Sequence, residues 1–592
     1  MTVCLLEIHI GPMQVFIAAA RRTRDLWFGS WLMSELSKAA ARAVADVAGE
    51  QNLIFPAASS NDLEPGSELS VANKIVATVE NPQAVARQAE NALRARLDEL
   101  AKIALDAAGG PLDTRETAVS QINDLPEFYW TAVPLPGEKN YPDIRKKAEN
   151  LLAARKNLRN FSQPTWSSNR PKSSLDGNRE SVIPADVSGD AQEMYKRYKA
   201  KAGEQLSGVD LLKRLGKRSK NAGFESFPSV SHMAAMPLRE KLANGDAKAE
   251  AAWKAYTRLL PLELKNTEQI PKKERIEKNR HPVFEYADGA LLFESRLRDY
   301  YGQKTPDKVT KALQDFYEAA ERPLPYYALL VGDGDFMGRV INNQKTREAH
   351  YHFSKTLAGF AAGAKTIVEN HQGAVVYAGG DDVMALLPVH KAVQCAAKLA
   401  EKFQATMQEF TDKDGRSPTF SAGIAIFHHT EPLEDALQTA REAEQTAKLV
   451  KGKNALAITE ARRSGAPRPV KGKWGALDKR LLKLAAFFQA GALPVGLAYQ
   501  LRELYLRLGG AEGLKAQPDL QEAMKKEAGR IVKRKEGTNA AQVDVEEMIA
   551  RLSDDYTVGQ IANELIIATN LARAADQAGL DLAEESTGWN GG

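Results

Sequence analysis

Apolar and polar positions repeat along the chain in two related patterns. In the first, short apolar runs typical of β-strands occupy residues 5–10, 52–55, 71–79 and 127–133. Apolar residues at helical spacing fill residues 13–47 and 83–107 between them. The order β, α, β, β, α, β is that of a ferredoxin-like split unit. We therefore expect one such unit at the start of the chain.

A second pattern begins near residue 325 and has the same order with one helix and one strand added. Its strand-like runs are residues 325–331, 374–377, 383–387, 419–427 and 455–458, and its helical runs are residues 347–370, 391–410 and 433–450. Two copies of one order in a single chain predict an internal duplication, although residue matching between the copies does not reveal it.

The segments outside these units predict helices. Residues 163–189 are rich in Ser, Asn, Pro, Gly and Asp, which is typical of an irregular linker, and helical patterns follow to about residue 300. From residue 471 onwards the pattern is helical. Its apolar stretch, residues 484–501, contains Gly491 and Pro494 and predicts a helix, a break and a second helix rather than a membrane span.

These patterns predict an α+β protein of four domains. Two ferredoxin-like units would occupy residues 1–160 and 323–462. A mainly helical intermediate domain would occupy residues 161–322, and a C-terminal helical bundle residues 463–592.

Charge balance and cysteine content narrow the class of protein. The 592 residues carry 80 Lys and Arg against 76 Asp and Glu, a net charge of +4 that is too balanced for a polybasic nucleic-acid coat. Only Cys4 and Cys395 are present, which excludes a disulfide framework and a cysteine-based zinc site from this chain. The first residues lack the pattern of a signal peptide. We expect a cytoplasmic protein without a membrane segment.

Three carboxylates of the second unit are expected to converge. Asp333 follows the first strand of that unit, and Asp381 and Asp382 stand at the tip of the following hairpin. In a split βαββαβ sheet the first strand lies beside this hairpin. Hard oxygen ligands suit two Mg²⁺ or Mn²⁺ ions, which can activate an attacking hydroxyl and stabilise a leaving pyrophosphate. The arrangement therefore predicts nucleotidyl transfer.

Other residues near the hairpin are candidate nucleotide contacts. Gly379 and Gly380 lack side chains, which lets a nucleotide lie against the backbone. Ser354, on the preceding helix, and Lys448 and Lys453, near the last strand, could contact ribose or phosphates. Simpler interpretations exist: a lone Gly-Gly-Asp-Asp is a common turn, and exposed lysines and serines are commonly solvated. The acidic residue on the neighbouring strand favours the functional interpretation of the turn.

Four segments carry a resemblance to a known family. They are Leu-Leu-Val-Gly-Asp-Gly-Asp-Phe-Met-Gly at 329–338, Gly-Gly-Asp-Asp at 379–382, Ser-Ala-Gly-Ile at 421–424 and Lys-Gly-Lys-Asn-Ala-Leu at 451–456. Together they resemble the cyclase palm of the large subunit of type III CRISPR effector complexes, which is related to GGDEF diguanylate cyclases and polymerase palms. Residues 10–17 and 21–30 are similar to the first palm of the III-B branch, and residues 203–214 and 227–231 to its intermediate domain.

The resemblance implies an activity, a site and partners. The family joins ATP molecules through 3′–5′ bonds into a cyclic oligoadenylate when a guide RNA in the complex pairs with a target RNA. The implied metal ligands are Asp333, Asp381 and Asp382. The implied residues around the nucleotide are Gly334, Asp335, Gly379 and Gly380. The implied partners are the other subunits of a III-B complex, including a small helical subunit at the C-terminal bundle, together with guide RNA, target RNA and ATP.

Three departures limit what the resemblance implies. Many relatives begin with an HD nuclease domain, but this chain starts at the palm-like strand and none of its nine His residues precedes Asp, so DNA cleavage of that type is not expected. Relatives often have a cysteine zinc site where this chain has Ser173, Ser174 and Ser207, so no zinc is expected. The first unit has Asp62 and Glu64 but no Gly-Gly-Asp-Asp turn. We expect it to form a wall of the site without metal ligands.

Two other functions remain open. The chain could be a catalytically silent scaffold of the same ribonucleoprotein, although like-charged carboxylates held together cost stability unless metals neutralise them. It could also be a palm cyclase with another product, such as a stand-alone GGDEF-type diguanylate cyclase that prefers GTP. Against this, no Glu-Phe follows the Asp-Asp pair, and a second palm and a helical bundle would be superfluous in a homodimeric cyclase.

Overall fold

A computed structural model describes most of the chain. The described residues are 2–108, 115–137, 140–158, 169–217, 227–265, 289–463, 465–510, 513, 519–534, 539–553 and 556–583. They form a mixed α+β protein with two separate sheets. Within these ranges, no helix is both long enough and apolar enough to cross a membrane.

Four antiparallel strands form the sheet of the first unit. They are β1 (Cys4–Gly11), β2 (Leu53–Phe55), β3 (Lys74–Val79) and β4 (Glu127–Pro134). Their order across the sheet is β2-β3-β1-β4. The first strand therefore lies between the third and the fourth, which is the order expected of a split βαββαβ unit.

Helices cover both faces of this sheet. They are α1 (Gln14–Ala18), α2 (Thr23–Ala48), α3 (Pro82–Ala107), α4 (Arg115–Asn123) and α5 (Tyr141–Asn157). α2 and α3 pack on one face, against the side of β1 that carries Leu6 and Ile8. α5 packs on the opposite face, where Tyr141 contacts the cluster around Leu5. The helix predicted over residues 13–47 is thus broken into α1 and α2.

The intermediate residues are mainly helical. Their helices are α6 (Ala185–Ser188), α7 (Ala191–Tyr198), α8 (Gly208–Leu215), α9 (Val230–Ala243), α10 (Ala247–Arg258), α11 (Leu262–Lys265), α12 (Glu294–Tyr301) and α13 (Asp307–Ala320). Ser173 and Ser207 each donate a hydrogen bond to the buried carboxylate of Asp210, over 2.7 Å. Ser174 accepts one from the amide of Gln205 (3.0 Å). Polar contacts therefore hold the loop before α6 against α8.

The sheet of the second unit has six strands. They are β5 (Tyr326–Asp335), β6 (Ala374–Gly379), β7 (Asp382–Pro388), β8 (Thr419–His428), β9 (Ala455–Glu460) and β10 (Arg468–Lys473). Their order is β10-β9-β8-β5-β7-β6. The inner part, β8-β5-β7-β6, repeats the order of the first sheet, and β9 lies parallel to β8. The second sheet therefore repeats the order of the first and adds two strands, β9 as predicted and β10, which was not predicted.

The helices of the second unit lie on opposite faces of its sheet. They are α14 (Met337–Asn342), α15 (Arg347–Asn370), α16 (Val389–Met407) and α17 (Leu433–Lys448). α15 and α16 share a core with Leu330 of β5. α17 packs on the other face, in the core that contains Leu329 and extends into the first unit and the intermediate domain.

The last segment is helical and packs on the second unit. Its helices are α18 (Leu477–Gln489), α19 (Gly496–Arg507), α20 (Asp519–Lys533), α21 (Asn539–Ala550) and α22 (Val558–Ala578). α22 contacts α18, α19, α16 and β10, so these helices and the second unit share one core. The end of α18 and the start of α19 confirm the helix, break and helix predicted in residues 484–501.

One strand extends beyond its predicted end, and another was not predicted at all. β5 runs through Asp335 because β8 pairs along its whole length, with Asp333 opposite Ser421. β10 lies beyond the domain boundary predicted at residue 462 and pairs with β9. Within β10 only Val470 is buried, so this strand lacks the apolar alternation that would predict it.

Candidate active site

The register of the second sheet places two carboxylates that are distant in sequence side by side. Gly332 of β5 pairs with Val383 of β7, so the next residue, Asp333, stands beside Asp382. Asp381 precedes Asp382 in the turn between β6 and β7. The structure therefore brings together the three carboxylates that the sequence predicts to converge.

The turn between β6 and β7 depends on glycine. Gly379 pairs with Asp382 and leaves only two residues in the loop. Gly380 has a φ of +68°, a left-handed conformation that favours glycine. A Cβ on Gly379 would lie 2.4 Å from the hydroxyl oxygen of Tyr377. That hydroxyl donates a hydrogen bond to the Gly379 carbonyl over 3.2 Å. Larger residues at either glycine would displace the turn and both of its aspartates.

The carboxyl groups of Asp381 and Asp382 both contact that of Asp333. Loss of hydration, together with the charge of Asp333, raises the pKa of Asp381 above its usual range. Loss of hydration and a hydrogen bond with Asp333 raise the pKa of Asp382 as well, although this residue is partly open to solvent at the turn. Carboxyl groups with raised pKa values on one cluster are typical of functional sites.

Lys448 supplies positive charge to this cluster. Its ammonium bonds to Oδ2 of Asp333, and it lies 2.7 Å from Oε1 of Glu444, one helical turn earlier. These two carboxylates raise the pKa of Lys448 against the opposing effect of its partial burial. Gly423 makes this placement possible, because a Cβ there would lie 2.1 Å from the amide nitrogen of Glu444. The close approach of α17 to β8 therefore carries Lys448 to the site.

Asp335 is buried and holds the neighbouring segments in place. Its Oδ2 accepts hydrogen bonds from the hydroxyls of Thr419 and Ser421 (2.8 Å each) and from the amide of Asn454 (3.0 Å). The ammonium of Lys453 lies 3.9 Å from Oδ1. Lys453 and Asn454 have φ values of 50° and 49°. The carboxylate thus fixes a strained loop beside the aspartate cluster.

The remaining predicted residues lie around the cluster or at a domain contact. A Cβ on Gly334 would lie 2.9 Å from Cβ of Asp381, so glycine permits the turn to approach β5. The ammonium of Lys453 also lies 4.7 Å from the ring centre of Phe336. Ser354 is buried, and its hydroxyl accepts a hydrogen bond from the amide of Ala57 in the first unit (3.0 Å). Its contact with ribose or phosphate stays a prediction.

The donor set fits a divalent cation. A cation would relieve the repulsion that raises the carboxyl pKa values, and carboxylate oxygens are ligands that Mg²⁺ and Mn²⁺ prefer. Across the described ranges, no three His, Cys, Asp or Glu side chains are already arranged to hold a metal ion. Lys448 contacts Asp333 and supplies positive charge to the cluster. The roles of Asp333, Asp381 and Asp382 as metal ligands stay a prediction.

Three side chains at the site were not predicted from the sequence. Glu444 precedes Lys448 by four residues, a spacing at which helical ion pairs form, so its contact could have been inferred. Thr419 and Tyr377 carry no such signal, because their contacts depend on the register of β8 and the geometry of the turn.

One family model matches within each sheet unit. The model described as "Cas10/Cmr2, second palm domain" matches residues 326–457, which include the aspartate cluster and the turn. The model described as "CRISPR-associated protein Cmr2, N-terminal" matches residues 5–102, from β1 to α3.

One curated protein and two solved structures are also similar to the chain. The CRISPR system Cmr subunit Cmr2 of Pyrococcus furiosus is 26% identical over 545 residues, which are 78% of this chain and 62% of that protein. The chain thus spans less than two thirds of that relative. Two cryo-EM structures of a type III-B Cmr-beta complex, one apo and one bound to cognate target RNA, contain a similar chain. Each match has a TM-score of 0.62 and covers 96% of this chain. The match to the apo structure covers 82% of the other chain at 13% identity, and the match to the RNA-bound structure covers 83% at 12% identity. At these identities the likeness is one of fold.

Proposed function

Because the chain belongs to the Cas10/Cmr2 family of type III-B CRISPR large subunits, we propose that its second unit is a nucleotide cyclase. It joins ATP molecules through 3′–5′ bonds into a cyclic oligoadenylate and releases pyrophosphate. Pairing of a guide RNA with a target RNA in the assembled complex switches it on. The observation that carries this proposal is the contact of Asp381 and Asp382 with Asp333 at the end of β5.

The carboxylates and the turn have separate tasks in this proposal. Asp333, Asp381 and Asp382 would hold the divalent cations. When bound, Mg²⁺ or Mn²⁺ would lower the pKa of the attacking 3′-hydroxyl and neutralise charge on the triphosphate. Gly379 and Gly380 let a nucleotide approach the backbone of the turn.

Two lysines supply positive charge to the site and are candidate phosphate contacts. Lys448 pairs with Asp333, and its ammonium would be available to a phosphate wherever a cation held that carboxylate. Lys453, whose ammonium lies over Phe336 and 3.9 Å from Oδ1 of Asp335, offers a second phosphate contact. Both are point charges on flexible stems, which suits phosphate groups that change position during reaction.

The C-terminal helices are proposed to dock a small helical subunit. Val495, Tyr499 and Leu506 are exposed apolar residues of α19 or its N-cap, and their spacing places them on one face of the helix. We expect Leu506→Asp to weaken co-purification of that subunit. Leu262→Asp changes a residue of the intermediate domain that is even more exposed, and it should leave co-purification unchanged. Equal recovery with both variants would contradict the docking face.

The activity is tested with the chain co-purified in its guide-RNA complex. Labelled ATP, Mg²⁺ or Mn²⁺, and either matched or mismatched target RNA are added, and products are identified by mass spectrometry. We expect a cyclic oligoadenylate with matched target only. The Asp381→Ala/Asp382→Ala variant should give no product.

A matched control removes two carboxylates elsewhere. Asp98 and Glu99 are adjacent and exposed on α3 of the first unit, so Asp98→Ala/Glu99→Ala should keep full activity. Target-dependent product from GTP alone would replace the proposal with another palm cyclase. No product from any nucleotide, with RNA binding intact, would favour the silent scaffold.

A further inference from the structure

A cavity of about 560 Å³ lies where the first unit, the intermediate domain and the second unit meet. Its walls include residues 20–24 at the start of α2, residues of α7 and the turn after it, and residues 430–435 at the start of α17. Lys448, at the other end of α17, contacts the aspartate cluster. Sixteen helical residues span roughly 22 Å, so this cavity is separate from the proposed cyclase site. Its volume is within the usual range for small-molecule sites, which are common at domain junctions.

Most of the positively charged side chains that line the cavity already contact carboxylates or carbonyl oxygens of the protein. Arg214 forms ion pairs with Asp25 and Glu204, and Lys201 lies 2.9 Å from Asp299. Arg24 donates to the carbonyl of residue 214 over 3.0 Å. Because Arg214, Lys201 and Arg24 already have partners within the protein, they are less available to a ligand.

Arg21 and Arg22 differ from the others. The side chain of Arg21 is exposed and makes no hydrogen bond or ion pair within the described residues. Nη2 of Arg22 is buried and has no hydrogen-bond partner among them, while its guanidinium lies 5.7 Å from the ring centre of Tyr195. A buried guanidinium nitrogen without an acceptor is unfavourable, and both residues stand at the positive end of the 26-residue helix α2. This wall is suited to an anion.

The start of α17 brings negative charge to the cavity. Glu434 and Asp435 are exposed in the first turn of α17 and line the cavity. Apolar residues also line the cavity, among them Leu175, Phe227 and Leu291. A ligand that satisfies all three kinds of residue has an anionic group, an apolar or planar part and hydrogen-bond donors.

We propose that this cavity binds a nucleoside phosphate. The phosphates contact Arg21 and Arg22, whose planar guanidinium groups match phosphate oxygens. The base lies against the apolar floor, and the hydroxyl or amino groups of the nucleoside donate to Glu434 and Asp435. The site belongs to the junction of three domains and does not depend on the cyclase activity.

Isothermal titration of the full chain with ADP tests the proposal. EDTA is present throughout, so that binding through divalent cations is removed. We expect one ADP site and weaker binding of its two parts, pyrophosphate and adenosine. The Arg21→Ala/Arg22→Ala variant should lose tenfold or more in ADP affinity, because hydrogen bonds to charged groups contribute about 1.5–3 kcal/mol.

Control variants distinguish ADP bound in the cavity from ADP bound elsewhere on the chain. Arg42→Ala changes an arginine of the same helix that pairs with Glu64 outside the cavity, and it should bind ADP normally, as should Asp381→Ala/Asp382→Ala. The single variant Arg21→Ala, at an exposed position, guards against misfolding of the double variant. Absence of ADP binding, equal binding by the arginine variants, or loss confined to the aspartate variant would overturn the proposal. Pyrophosphate that binds as tightly as ADP would overturn its nucleoside part.

Discussion

Protonation at Asp381 and Asp382 couples the site to pH. Loss of hydration and the neighbouring carboxylates raise the pKa of Asp381 to about 7 and that of Asp382 to about 9. In the unfolded chain both titrate near 4. Between these values the folded protein binds more protons than the unfolded one, so this cluster lowers the stability as pH rises from about 4 towards 9. Metal binding must displace those protons, so it is favoured at the upper end of this window.

This linkage predicts a pH-dependent effect of removing the charges. We expect Asp381→Asn/Asp382→Asn to gain stability relative to the wild type in EDTA, and to gain more at pH 9 than at pH 6. Urea unfolding at both pH values measures the difference. Mn²⁺ should raise the melting temperature of the wild type more at pH 9 than at pH 6 and leave the variant unchanged.

The exposed pair Asp98→Asn/Glu99→Gln is the control for this experiment. Neither residue belongs to a carboxylate cluster, although Glu99 pairs with Arg96. The stability difference of this variant from the wild type should therefore be the same at the two pH values. A difference for the Asp381 and Asp382 variant that is also independent of pH would show that the cluster does not hold extra protons.

Asp335 is predicted to act as a positioning residue. Asp335→Ala leaves the donors of Thr419, Ser421 and Asn454 without their acceptor in a buried place, which should cost about 1–3 kcal/mol. Asp335→Asn keeps one acceptor oxygen and should cost less. Asp414→Ala, in an exposed turn of the same unit, should be neutral in the same unfolding assay. Equal stability of the Ala variant and the wild type would contradict this role.

At the scale of whole elements, the position of α17 depends on one glycine. A Cβ on Gly423 would meet the amide nitrogen of Glu444 at 2.1 Å and the carbonyl oxygen of Ala440 at 2.5 Å. Both are backbone atoms, so the helix itself must move away from β8. Lys448 moves with it, because the residue lies on the last turn of the same helix.

Gly423→Ala is therefore predicted to damage both stability and the site. We expect a loss of about 1–3 kcal/mol from overpacking and weaker nucleotide binding. Gly359→Ala on α15 is the matched control, since no atom lies within 4 Å of the added Cβ and alanine favours the helix by roughly 0.5–1 kcal/mol. Unfolding curves that rank these two variants equally would contradict the steric argument.

Strands and helices with clear periodicity were predictable, whereas contacts between them were not. The closeness of Asp333 and Asp382 could be predicted from the strand order alone, because a split unit places its first strand beside the hairpin. The bonds of Asp335 depend on the exact pairing of β8 and on the loop before β9. Ser354 bonds to Ala57, which lies 297 residues earlier, and no local pattern reports how two units dock.

At the scale of the molecule, α5 connects the first unit to α14 and α15, the two helices that follow the strand carrying Asp333. The hydroxyl of Tyr141 lies 2.7 Å from Nδ1 of His350 on α15. Arg145 is buried and donates to the carbonyl of Ile341 (2.6 Å) and to Oδ1 of Asn342 (2.8 Å) on α14. α14 begins two residues after β5 ends at Asp335. A first unit without a Gly-Gly-Asp-Asp turn can therefore still determine where the aspartate cluster stands.

Arg145→Ala is predicted to uncouple the two units. It leaves the acceptors of α14 unpaired at a buried contact, which should cost about 1.5–3 kcal/mol because the lost hydrogen bonds involve a charged group. Arg155→Ala, exposed on the same helix, should be neutral. If α5 positions β5 through α14, Arg145→Ala should also lower product formation at temperatures where the variant is still folded. Lower stability with unchanged activity would show that α5 stabilises the contact between the units but does not position the site.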